Sequence, residues 1–148
     1  MTTVFDPNYR EQLIKRINAL SADQKAEWGK MNAYQMAKHC ALCDDMFHGR
    51  LHIKRVLMGR LIGRMFLKKA VKEGVRFDKN APTATVLKTT KDSGDMEQQK
   101  REWIDKIREY SDFRNENFVH PFFGKMTREQ VGIFAYKHAD HHLIQFGA

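Results

Sequence analysis

The sequence predicts an all-α fold, a bundle of four main helices joined by long connections. Three observations predict it. Apolar residues recur at helical spacing in four separate stretches. Each stretch opens on a residue able to cap a helix. Convincing strand alternation is absent, and "TATVLKTT" is the only β-like stretch. A chain of 148 residues can bury a real core, so one domain over 1–148 is expected.

The first helix opens in "FDPNYREQLIKRINALS". Asp6 takes the N-cap and Pro7 the first turn, where its missing N–H costs nothing. Leu13, Ile14, Ile17 and Leu20 form its apolar stripe. A connection carrying Trp28 and Gly29 leads to the second helix, "NAYQMAKHCALCDDMFHG". Asn32 with Gln35 three residues later forms a capping box. Met36, His39, Cys40, Cys43, Met46 and Phe47 share one stripe, and Gly49 ends the pattern. Residues 50–76 read as a broken helix, interrupted at Gly59 and Gly63. After a polar connection, "MEQQKREWIDKIREY" gives the third main helix, capped by Ser93 or Asp95, with Trp103, Ile104, Ile107 and Tyr110 inward. Pro121 and Gly124 punctuate the next connection. Thr127 opens the last helix with a second capping box, "TREQ".

Charge is concentrated in one segment. The net charge is +8, and residues 50–76 hold nine Lys/Arg against one acid, Glu73. The remainder is neutral, with 17 charges of each sign. Leu, Ile, Met and Phe are interleaved with these cations, which favours an amphipathic helix on the bundle's flank. No nucleic-acid-binding motif accompanies them, so no specific nucleic acid is expected. No run approaches the roughly 20 apolar residues of a membrane span, and the start lacks a signal-peptide pattern. A cytoplasmic protein is the expectation. Cys40 and Cys43 form no disulfide framework and read as small buried residues.

The chemistry points to histidine. On the last helix Val131, Phe134, His138, His142 and Gln145 are spaced 3, 4, 4 and 3, and so share an inward face. His138 and His142 stack one turn apart, as two imidazoles must to reach one metal ion. His39, on the inward stripe of the second helix, is the best third ligand. His141 and Cys43 are further candidates for the same site. Three neutral imidazoles leave coordination positions for water or substrate, the open geometry of catalytic sites. No general base is identifiable; Asp44 and Asp45 read as a solvated acidic pair. His48, His52 and His120 read as surface or capping residues.

The ending "HADHHLIQ" resembles the H-x-x-x-H-x-x-Q motif of the DinB/YfiT-like family of helical-bundle metalloenzymes, with His138, His142 and Gln145 in its positions. "WGKMNAYQMAKHC" resembles that family's other anchor, a Trp followed by a helical histidine, here His39. The resemblance implies an up-down-down-up four-helix bundle with extra short helices, and a divalent metal ion (nickel, zinc or iron) on His39, His138 and His142. It also implies chemistry on a small-molecule substrate, with transfer of a low-molecular-weight thiol as one form. A homodimer is a further expectation. Ala139 stands where many members carry a glutamate, so a role for that acid does not carry over. The reading that competes with a metal-dependent transferase or hydrolase is a non-catalytic binding module that presents the basic segment 50–76 to an anionic partner.

Overall fold

The computed structural model describes residues 1–148, and the fold is all-helical apart from one small hairpin. Five helices follow one another: α1 (Pro7–Ala19), α2 (Ala33–Phe47), α3 (Leu57–Ala70), α4 (Met96–Glu109) and α5 (Arg128–Gln145). Two-residue strands β1 (Val119–His120) and β2 (Gly124–Lys125) pair antiparallel, with Val119 opposite Lys125. "TATVLKTT" forms no strand; Thr85–Leu87 is a 3-10 turn that turns Leu87 inward.

Helix starts lie where local chemistry puts them. The Asp6 carboxylate accepts the Asn8 N–H at 2.8 Å, and the Asp95 carboxylate accepts the Gln98 N–H at 2.9 Å. Asn32–Gln35 and Thr127–Gln130 both form reciprocal capping boxes. The C-terminus of α1 has a remote cap. Lys100 of α4, almost wholly buried, donates to the carbonyls of Asn18 and Leu20.

α1 packs on α4 and α5, and α2 packs on the same two helices. Their inward stripes merge into one apolar cluster in which Trp103, Tyr110, Phe47 and Phe146 are the largest fully buried side chains. α2 and α5 thus lie face to face along the stripes that carry the histidines.

α3 departs from expectation. It is unbroken; its N-terminal half rests on the hairpin, and Leu67 near its C-terminal end joins the core of the packed helices. Gly59 and Gly63 are its seat. A Cβ at either position would overlap the Phe122 carbonyl oxygen. These glycines let two backbones approach; they do not interrupt the helix. Gly63→Ala therefore sets two effects against each other. Alanine gains about 1 kcal/mol of helix propensity, while forcing a methyl against backbone costs about 1–3 kcal/mol. The expected result is net destabilisation, with faster amide exchange in α3 and the hairpin while α2 and α4 keep their protection.

Candidate metal centre

His39 projects from the middle of α2, and His138 and His142 from successive turns of α5. The three rings meet, with centroids 5.1 Å apart for His39–His138, 4.9 Å for His39–His142 and 4.7 Å for His138–His142. One ring nitrogen from each falls within 4.8 Å of the other two. His39 and His142 are buried, and His138 is the member that reaches solvent.

Outer hydrogen bonds fix which nitrogens face the centre. His39 Nδ1 lies 2.8 Å from the Leu87 carbonyl, which can only accept, so Nδ1 carries the proton and Nε2 a lone pair. His142 Nδ1 lies 2.8 Å from Gln145 Oε1. The Gln145 amide is oriented by its other end, which donates to the Trp28 carbonyl at 2.6 Å. Nδ1 of His142 is therefore also a donor, and its Nε2 is free. His138 Nε2 faces His39 Nε2 at 3.2 Å. Two imidazole lone pairs do not sit at that distance without a proton or a cation between them. Two ligands held tetrahedrally at about 2.0–2.1 Å from one metal ion would be about 3.3 Å apart, so this spacing suits a shared ion.

Electrostatics favour neutral rings. Burial pushes the pKa of His142 down to about 3, with the nearby His39 adding to the effect. Burial, then His142 and His39, hold His138 well below the usual range. Burial also lowers His39, against the opposing pull of its bond to Leu87. Neutral imidazole is the metal-binding form, so the cluster could hold a divalent ion.

The neighbouring candidates fall outside the cluster. His141 turns toward Trp28 and Phe77, with ring centroids 5.6 and 5.9 Å away, and lines a surface cleft of about 530 Å³. None of the three clustered histidines lines that cleft. Cys43 Sγ comes within 3.7 Å of His39 Nε2, but it does not belong to the group of converging donors. Burial raises the thiol pKa of both Cys43 and Cys40 well above normal.

Two expectations need correction. Asp44 and Asp45 are no solvated pair. Asp44 is buried, accepting the Tyr110 hydroxyl at 2.7 Å and the Trp103 indole N–H at 3.1 Å. Burial lifts its pKa to about 7 against those two bonds. Asp45 sits nearer the surface, 2.6 Å from both Lys106 and Arg50. The second correction is His120. Its Nδ1 accepts the N–H groups of Phe122 and Phe123, so it does cap the hairpin turn. Its ring, however, stacks on Phe123 and meets Phe47, Phe118 and Phe134, and burial pushes its pKa down to about 3. The signal available in the sequence was its setting, "FVHPFF". His48, the C-cap residue of α2, reaches the Lys106 carbonyl, and His52 is exposed.

No curated protein and no solved structure shows significant similarity to the chain. A family does match, and it is not the one the two histidine motifs resemble. The DinB/YfiT-like assignment is overturned by a match over residues 7–148, nearly the whole chain. The chain belongs to the family described as protein of unknown function, DUF1569.

Proposed function

We propose that His39, His138 and His142 bind one divalent metal ion, and that the protein uses it to activate a nucleophile toward a small-molecule substrate. The observation that carries this reading is the convergence of one nitrogen from each of three imidazoles, with Nδ1 of His39 committed to Leu87 and Nδ1 of His142 to Gln145. Metal-binding histidines are oriented by such outer bonds. A bound zinc, nickel or ferrous ion would supply Lewis acidity, bringing the pKa of a coordinated water or thiol toward neutrality. The protein's own part is to hold three neutral donors in a dry pocket and to leave access past His138. Transfer of a low-molecular-weight thiol rested on the overturned family resemblance, and no residue here favours a thiol over water.

The scaffold belongs to the same proposal. Two helices each packing on the same other two are what a single four-helix-bundle domain over 1–148 requires. The connection from His48 to Asp95 is long enough to return the chain to its starting end, as an up-down-down-up order needs.

Gln145→Leu should weaken metal binding about 10–100-fold, because the His142 N–H loses its acceptor. Calorimetric titration of chelator-treated protein would measure this, and unchanged affinity would remove Gln145 from the site. The catalytic half of the proposal has a separate test in the cobalt(II)-substituted protein. Its visible spectrum should shift between about pH 5 and 9 and on addition of a thiol, as an open coordination position demands. A spectrum indifferent to both would mean a closed, structural site.

A further inference from the structure

The seat of α3 decides where its other side chains point. Gly59 and Gly63 are buried against the hairpin, and Leu67, on the same side of the helix, is buried in the core. At about 100° per residue, Leu57, Met58, Leu61 and Met65 then fall within an arc of about 100° on the opposite side. They are exposed at 78%, 60%, 83% and 62%. Arg60 and Arg64 border this arc on one edge and Lys69 on the other, and Lys68 closes its C-terminal end. Lys69 makes the one ion pair of the helix, with Asp78. α3 packs on the fold through its glycine side and offers this stripe to solvent inside a ring of cations.

We propose that α3 docks on an anionic lipid surface, with Leu57, Met58, Leu61 and Met65 entering the acyl boundary and Arg60 and Lys68 meeting lipid phosphates, while Arg64 holds the Lys125 carbonyl of the hairpin at 2.9 Å. The pattern is that of an interfacial helix, apolar on one side with long cations able to snorkel at the edges. At 14 residues α3 is suited to lying in the interface, and no helix of the protein is long and apolar enough to cross a membrane. Charge selects the partner. A second copy docked through α3 would set four cations per chain, Arg60, Arg64, Lys68 and Lys69, against four more, with no acid in the helix to offset them. A nucleic acid would satisfy the cations yet leave the apolar arc in water. Of these three, an anionic bilayer is the one that meets both halves of the surface.

Cosedimentation of the full chain with vesicles tests this without reference to the metal. Vesicles of phosphatidylcholine and phosphatidylserine in equal parts should carry the protein down, and phosphatidylcholine alone should not. Arg60→Glu combined with Lys68→Glu should weaken partitioning at least about a hundredfold, since each cation near the surface counts roughly fivefold. Leu61→Ser combined with Met65→Ser should reduce pelleting to the phosphatidylcholine level. All four positions are exposed, and circular dichroism would verify that the variants fold. No binding to either vesicle, equal binding to both, or full binding by the serine variant would overturn the proposal. So would a dimer in sedimentation equilibrium that Leu61→Ser dissolves, which would give the face to a second copy.

Discussion

Replacing His142 with alanine is expected to abolish metal retention, while His141→Ala leaves it essentially intact. The two residues are adjacent in sequence but differ by about 100° around α5. His142 presents its free Nε2 to His39 and His138, with Nδ1 bound to Gln145. His141 points away, toward Trp28 and Phe77. Loss of an outer partner alone costs about 10–100-fold in affinity, so loss of a ligand should cost at least about a hundredfold. Elemental analysis of both variants after gel filtration measures the difference. Equal metal loss in the two would mean that the face assigned to α5 is not the binding face.

Asp44→Asn should change the pH dependence of stability. Folding raises the Asp44 pKa from the ordinary 3.8 to about 7 through burial, so the folded state holds a proton that the unfolded state releases. Stability from this group is fully present below about pH 4, falls as pH rises, and is lost by about pH 7. The largest cost, at neutral pH, is about 4 kcal/mol. The surrounding groups do not remove it. Lys106 is drawn to Asp45, which itself adds a like charge, while Tyr110 and Trp103 donate only neutral hydrogen bonds. The buried histidines act in the opposite sense. Their folded pKa values are lowered, so their contribution is lost as pH falls below their ordinary 6.5. The difference between wild type and Asp44→Asn isolates the carboxyl. In urea titrations the variant should gain on wild type steadily from about pH 4 to 7 and then hold its gain. Parallel curves would mean that Asp44 is ionised in the folded protein.

What could be read from the sequence was what acts over a few residues. Asp6, Asn32, Asp95 and Thr127 cap the helices they appear to cap, because a cap is satisfied within three positions. The 3-4-4-3 stripe on α5 gives the face shared by His138, His142 and Gln145 for the same reason. His39 was within reach because the inward stripe of α2 leaves it one partner direction. Properties set by distant residues were not legible. The α3 pattern announces an apolar face without saying whether protein or solvent meets it. Gly59 and Gly63 look like helix breakers until Phe122 is seen against them. Asp44 resembles any surface acid beside Asp45, and only Trp103 and Tyr110, some sixty residues away, account for its burial. The family resemblance failed for a related reason. An H-x-x-x-H-x-x-Q helix facing an inward histidine is a geometric solution to gathering three imidazoles, and such a solution does not specify ancestry.

Anomalous diffraction from crystals of protein purified without chelator or added metal, collected across the iron, nickel and zinc edges, would decide whether the three histidines bind metal. The expected result is a single peak at about 2.0–2.1 Å from Nε2 of His39, His138 and His142, with the Nδ1 atoms of His39 and His142 still bonded to Leu87 and Gln145. The three rings clustered with no peak between them, before and after soaking in each of the three ions, would contradict the metal centre.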